Sequence, residues 1–348
     1  MRIGIFDPYL DTLGGGEKYI LTLAECLCKD NAVFVFWNNP KILEQAAKRF
    51  DLNIKEVNLA PNIFASSSII KRIKETRKFD LIIYISDGSI PFLYARKNIL
   101  LLQFPVNWIN AEKLLTRIKL LKISGIICYS QFVQKFLEKT FSKKIFVLAP
   151  AIDDPLENIN EKENIILNVG RFTQAMNMKK QAMMIESFKK LKDKNWRLVL
   201  LGGALPQDKE FIKSLRESSK DFPIEIHENV SIEFLQRLYA KARIYWHATG
   251  FGEDLINHPE LAEHFGITTL EAMSYGAVPV IINAGGQPEL ITDGKDGFLW
   301  KDEGELLEKT KKLMENSALR EEMSKEAIQK AKQFNKREFC KRVKEIIA

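Results

Sequence analysis

The sequence predicts an α/β protein made of two doubly wound, parallel-sheet domains, and three observations carry that prediction. The chain has 348 residues, too many for one ordinary core and suited to two domains of average size. Apolar strand-like runs alternate with amphipathic helix-like runs, the pattern that calls for parallel strands joined by crossover helices. Several handovers from strand to helix carry glycine, as turns at the carboxyl ends of such sheets do. The boundaries expected are a first domain over residues 1–152, a linker over 153–163, a second domain over 164–330 and a final helix over 331–348.

Residues 2–7 (RIGIFD) read as a short apolar strand, and Leu13-Gly14-Gly15-Gly16-Glu17-Lys18 as a glycine turn into a helix over 19–28. The dinucleotide fingerprint G-x-G-x-x-G fails here because Tyr19 occupies the third glycine position. The next strand, AVFVFWNN, ends without an acidic residue, so a nicotinamide dehydrogenase is disfavoured. A Gly-rich first turn still lets backbone approach a ligand closely, although a plain tight turn would look the same.

Helix signals follow over 40–50 and 69–78, the second of them basic and amphipathic. Strand signals follow over 53–59, 79–86, 98–104, 125–129 and 144–148. Ser130 reads as the N-cap of a helix over 131–141. Residues 150–164 are polar, proline-marked and without period, and read as the linker. The second domain opens with the buried strand 164–170, followed by Arg171 and by Asn177-Met178-Lys179-Lys180-Gln181 before a helix to Leu191. Further strands are expected over 196–203, 224–228, 244–248, from after Gly276 to 282, and over 298–300. Further helices are expected over 208–218, 231–242, from Thr268, after Gly286, over 305–314 and, as one amphipathic stretch, over 319–347.

Hydrophobic residues make up 46% and charged residues 28%, which is globular composition. No apolar run reaches the ~18 residues of a membrane span, and the first residues enter a strand rather than a signal peptide, so a cytoplasmic protein is expected. Cys26, Cys28, Cys128 and Cys340 show no C-x-x-C spacing and read as reduced, structural thiols. With four scattered histidines and no D-x-D element, no metal site is expected. Residues 1–150 hold 22 Lys and Arg against 13 Asp and Glu, while the rest of the chain is nearly neutral. That half could face anionic lipid or an acidic acceptor, and solubilising lysine accounts for such a bias as well. Ile69, Ile70, Ile73 and the cations around them make a candidate membrane-surface face, with a solvated basic helix as the plainer reading. No nucleic-acid partner is expected.

The most informative stretch runs from Trp246 to Pro288, centred on Glu263-His264-Phe265-Gly266-Ile267-Thr268-Thr269-Leu270-Glu271. Two carboxylates bracket a turn that opens a helix. The N–H groups of Gly266, Ile267 and Thr268 would lead that helix, where free donors and the macrodipole favour an anion such as phosphate. Glu263 and Glu271 would flank it as acceptors for hydroxyl groups. Either Glu taken singly is more often a helix-terminus or solvated charge. Downstream, Tyr275-Gly276 ends the helix, and Ala284-Gly285-Gly286-Gln287-Pro288 forms a second Gly-rich turn, which implies a crevice at the carboxyl ends of a parallel sheet.

E-x7-E followed by EAMSYGAVPVI and GGQPELI resembles the donor-site signature of glycosyltransferase family 4, the group 1 retaining enzymes of the GT-B fold. The resemblance extends over almost the whole chain. It implies two Rossmann-like domains facing across a cleft, and transfer of a sugar from a nucleotide-diphosphate donor to a glycan or lipid-linked acceptor, with no cofactor and no metal. Family members carry G-R-[FL] and then K-x-Q or K-K-Q, matched here by Gly170-Arg171-Phe172 and Lys179-Lys180-Gln181. Arg171 and either Lys179 or Lys180 would then neutralise the leaving diphosphate. By the same resemblance Glu271 would hold the ribose and Glu263 the sugar hydroxyls. His264, Phe265, Gly266, Ile267 and Thr268 would complete the donor contacts, with Gly203 at the crevice and the loop bearing Gly15 and Gly16 over the donor phosphates. Gln103 stands where related enzymes commonly place a His that touches the donor sugar, a departure that a Gln hydrogen bond would offset. His247 and His258 flank the insert 250–261 and are not taken as catalytic, although His247 ends a strand that points into the site.

The HFGI and KKQ details look closest to mannosyltransferases of lipid-linked glycan assembly, so GDP-mannose leads a UDP-sugar as the expected donor, at the cytoplasmic face of a membrane. A sugar-nucleotide epimerase is disfavoured by the E-x7-E spacing. A degenerate relative that binds nucleotide sugar without transferring it, or serves as a partner subunit, stays open because of Gln103.

Overall fold

A computed structural model describes residues 1–106, 108–155, 161–174 and 179–348. Two compact units emerge, Met1–Ala151 together with Lys336–Ala348, and Ile152–Asn335. Of the expected linker, residues 156–160 lie outside the described residues, as do Asn177 and Met178.

The first unit holds seven strands: β1 (Arg2–Phe6), β2 (Ala32–Phe36), β3 (Asn58–Ala60), β4 (Leu81–Ile85), β5 (Lys97–Leu101), β6 (Gly125–Cys128) and β7 (Ile145–Val147). They lie in the order β3-β2-β1-β4-β5-β6-β7, every pair parallel. Helices cover both faces, so the strands read as unbroken apolar runs. Leu81, Ile83, Ile99 and Leu101 enter one core, while Ile82, Tyr84 and Leu100 enter the other. Ser130 caps its helix as expected, its Oγ accepting from the Val133 N–H at 3.2 Å.

Three differences from the sequence reading have physical causes. The strand expected over 53–59 shrinks to β3, because Ile54 and Val57 reach the core from a loop rather than from a paired strand. A helix at Leu114–Leu120 escaped notice because its apolar stripe faces outward and only Leu120 is buried. Cys26 and Cys340 are not free thiols; they form a disulfide with Cα atoms 5.0 Å apart. A separation of 314 positions hides the pairing in the sequence, and the closing helix Lys336–Ile347 brings it about by lying on the helix Gly15–Cys28. Cys28 and Cys128 are buried thiols.

The second unit holds β8 (Glu163–Val169), β9 (Arg197–Gly202), β10 (Ile224–Glu228), β11 (Ala242–His247), β12 (Val278–Ile282) and β13 (Phe298–Trp300), ordered β10-β9-β8-β11-β12-β13 and parallel throughout. The helix expected after Gly286 is a single 3-10 turn, Gln287–Glu289. Beyond it Gly294 takes φ +78° and Asp296 Oδ1 accepts from the Thr292 N–H at 2.7 Å, which is turn chemistry that ends any helix. The final stretch is two helices, Ser317–Ala331 and Lys336–Ile347, parted at the extended Asn335. Among the described residues no helix is long and apolar enough to cross a membrane.

The strand order reverses between β8 and β11. The chain runs from β8 and from β11 in opposite directions along the sheet, and the carboxyl ends of the strands at such a switch point are where doubly wound sheets take ligands.

Candidate functional site

The loop after β8 carries Gly170 and Arg171. A Cβ at Gly202, the last residue of β9, would lie 1.9 Å from the Gly170 carbonyl oxygen, so the two strand ends meet this closely only because position 202 has no side chain. Gln181, buried at the head of the helix Gln181–Leu191, donates from Nε2 to the carbonyls of Gly170 and Arg171 at 3.3 and 3.0 Å. That fixes the backbone and leaves the Arg171 side chain exposed at the crevice. Gly203 has open space where a side chain would stand.

Glu263, carried by the long loop after β11, gathers the site's charges. Its Oε2 lies 2.6 Å from Lys179 Nζ and 3.1 Å from His247 Nε2, with Lys179 and Glu263 side chains only 13% and 18% exposed. Burial pushes the Glu263 carboxyl up, but the Lys179 ammonium and the His247 hydrogen bond outweigh it and hold the group well below the usual carboxylate range. Burial lowers His247, with the Glu263 contact opposing it. The imidazole is therefore neutral at pH 7, and a neutral ring facing a carboxylate must donate, which puts its proton on Nε2. Its Nδ1 is buried without a hydrogen-bond partner among the described residues. Lys180, in the left-handed region at φ +58°, pairs instead with Glu253 Oε1 at 2.5 Å. In the sequence His247 and Glu253 carry no site role and Gln181 enters only as the last residue of the K-K-Q motif; the one signal for His247 is its place at the end of a buried strand.

The helix Ile267–Ser274 starts at Gly266, whose φ of +106° and whose approach to Gln287 exclude a side chain. A Cβ there would stand 2.1 Å from Gln287 Nε2. Gly285 and Gly286 serve the same end from the second Gly-rich turn: added Cβ atoms would strike the carbonyls of Glu263 and His264 at 2.2 and 2.4 Å, and the Gly286 N–H donates to Glu263 O at 2.7 Å. The second turn is thus the support of the first. Tyr245 Oη donates to Thr268 Oγ1 at 2.7 Å and Tyr239 Oη to Glu271 Oε2 at 2.9 Å, which aims two predicted site residues. Phe265 is buried, its ring 5.9 Å from that of Phe334, so what it offers a ligand is backbone.

Burial lowers His264 from 6.5 to about 4. The unfolded chain therefore takes up this proton first on acidification. Stability from the neutral ring is whole above pH 6.5 and is lost as pH falls toward about 4, at most about 3 kcal/mol. Asp7, in the other unit, acts oppositely: burial raises it to about 7, so its contribution is whole below 3.8 and is lost as pH rises to about 7. The difference between wild type and His264→Gln isolates His264. Urea unfolding followed by near-UV signals of the buried Trp246 and Trp300 should show the wild type losing stability more steeply than the variant on acidification. Parallel curves would contradict the assignment.

In the first unit Gly15 and Gly16 head the helix Gly15–Cys28 after β1, and Glu17 Oε2 accepts from the Gly14 N–H at 2.6 Å and from Thr12 Oγ1 at 2.8 Å. The Gln103 amide lies against Gly16, 3.0 Å from where a Cβ would be, and Gly15 opens on free space. Among the described residues no group of three or more His, Cys, Asp or Glu is placed to hold a metal ion.

The fold is that of GT-B glycosyltransferases, as a likeness to Anabaena Alr3699/HepE in complex with UDP makes plain, with a TM-score of 0.75 over 100% of this chain and 99% of that one at 18% identity. Residues 152–330 match the model of the family Glycosyl transferases group 1, and the chain belongs to that family. It is 29% identical to trehalose synthase of Thermococcus litoralis over 58% of this chain and 52% of that protein. It is 26% identical to the GDP-Man:Man(3)GlcNAc(2)-PP-Dol alpha-1,2-mannosyltransferase of Dictyostelium discoideum over 60% and 43%. The chain thus spans about half the length of these curated relatives. Over 99% of both chains it is 24% identical to the GalNAc-alpha-(1->4)-GalNAc-alpha-(1->3)-diNAcBac-PP-undecaprenol alpha-1,4-N-acetyl-D-galactosaminyltransferase of Campylobacter jejuni.

Proposed function

We propose that the protein moves a sugar from a nucleotide-diphosphate donor to a glycan or lipid-linked acceptor, with retention at the anomeric carbon and without a metal ion. The observation that carries this reading is the gathering of Lys179, Glu263 and His247 at the carboxyl ends of β8 and β11, beside the Arg171 loop. In the proposed mechanism the diphosphate lies at the N-terminus of the helix Ile267–Ser274, where the leading N–H groups and the helix dipole favour it. Arg171 supplies a planar fork and Lys179 a point charge to the oxygens that gain charge as the donor bond breaks. Lys179 is preferred to Lys180 because it already touches Glu263, whereas Lys180 is held by Glu253. Glu271 takes the ribose hydroxyls and Glu263 those of the sugar. His247 positions Glu263 by donating to it. Positioning and charge stabilisation do the work, and no side chain need become a covalent nucleophile.

GDP-mannose remains the favoured donor over a UDP-sugar, supported by the likeness to a mannosyltransferase, and a lipid-linked acceptor is supported by the names of two relatives; the cytoplasmic face of a membrane is part of the proposal. A nucleotide-sugar binder without transferase activity is the second reading, favoured by Gln103 at the position beside Gly16.

Thermal unfolding with a panel of nucleotide sugars tests the donor, since a ligand at ~100 times its dissociation constant adds about 2.7 kcal/mol. One donor should stabilise the chain and be consumed in excess chelator. Activity abolished by chelator and restored by magnesium or manganese would overturn the metal-free mechanism, and stabilisation without consumption would favour the binder.

A further inference from the structure

Seven of the thirteen large apolar side chains exposed among the described residues fall between Ile69 and Leu121. In the helix Leu114–Leu120, Leu114 and Ile118 recur at helical spacing and Leu121 continues the stripe just past its end. The stripe faces solvent, with Leu114 75%, Leu115 57% and Leu121 77% exposed. Trp108, 55% exposed, is nevertheless fixed: its ring stacks 5.8 Å from Phe104, and its indole lies against Gly88, where a Cβ would come 2.4 Å from Nε1. Lys113, Arg117, Lys119 and Lys122 border the stripe, and residues 113–122 hold no acid. The basic helix Ile69–Thr76, with Ile70 80% exposed, adjoins it through Tyr94, whose ring lies 5.5 Å from both Arg77 and Lys122 and whose N–H donates to Thr76 Oγ1.

We infer that this surface of the first unit docks on an anionic lipid bilayer, with Trp108 and the Leu114–Leu121 stripe seated among the acyl chains near the headgroups and the cations on the phosphates. An apolar face rimmed by Lys and Arg is the form of an interfacial helix, and an exposed patch of this kind marks an interaction site. Charge decides between occupants. In a two-fold contact between copies the same patch meets itself, so these four cations would confront their equals across an apolar seam. A lipid surface supplies the opposite charge, which strengthens binding about fivefold per basic residue near it. The inference deepens the proposed lipid-linked acceptor by naming where the chain meets the membrane, but it rests on the surface alone.

The test is sedimentation of the full chain with phosphatidylcholine vesicles, with and without phosphatidylglycerol, at low and physiological salt. Binding should require the anionic lipid, fall with salt and drop about tenfold or more in Leu114→Gln/Leu121→Gln, while Ile232→Gln/Ile256→Gln, on the other unit, binds as wild type. A blue shift of tryptophan emission on binding should disappear in Trp108→Phe. Equal binding to both vesicles, an unaffected Leu114/Leu121 variant, or a dimer that this variant dissolves would overturn the inference. Nucleotide-sugar stabilisation without lipid, measured on the same proteins, verifies their folding and keeps this outcome separate from that of the transferase reading.

Discussion

Arg171→Ala should lower turnover by about 10²-fold or more, with thermal unfolding close to that of wild type. The guanidinium is exposed and the loop around it is held without it, through the Gln181 contacts to Gly170 and Arg171 backbone and the close meeting of Gly170 with Gly202. Folding therefore has little to lose. Catalysis has much to lose in the proposed mechanism, because a donor that meets charge growing in the transition state acts on kcat rather than on ground-state binding. Steady-state kinetics beside a melting curve measures both, and near-normal turnover would place Arg171 outside the chemistry.

Glu263→Ala should reduce kcat by about 10²-fold, the scale of a misplaced reacting group, and also weaken the fold. Its removal leaves Lys179 and the neutral His247 facing each other without the carboxylate that joins them. Partial exposure keeps the cost on the order of 2 kcal/mol, short of the ~3–5 of a fully buried pair. Glu263→Gln, which still accepts from Lys179 and His247, should recover most of the stability and little of the turnover. A variant with intact kcat and lowered stability alone would make Glu263 structural.

Much of this was legible in the sequence, and the gaps have causes. Parallel sheets buried on both faces leave unbroken apolar runs such as LIIYI and RLVLLG, so the strands of both units stood out. The Leu114–Leu120 helix did not, because the periodicity rule assumes that the apolar side of a helix faces a core, and here it faces outward. Gly285 and Gly286 read in the sequence as a second Gly-rich turn beside a crevice; they are the surface on which the backbone of Glu263 and His264 rests. The Cys26–Cys340 bond and the His247–Glu263 contact join residues 314 and 16 positions apart, and nothing local announces either.

The central claim is that Glu263 and Glu271 hold two different parts of one donor. Nucleoside diphosphate affinity and kcat, measured together for Glu263→Ala and Glu271→Ala, test it most directly. Glu271→Ala should weaken nucleoside diphosphate and donor alike, because a ribose contact is made equally in ground and transition states. Glu263→Ala should leave nucleoside diphosphate affinity nearly unchanged and lower kcat. The reverse pattern, with Glu263 governing nucleotide affinity and Glu271 turnover, would contradict the assignment, and two variants that keep both affinity and kcat would remove the donor from this site altogether.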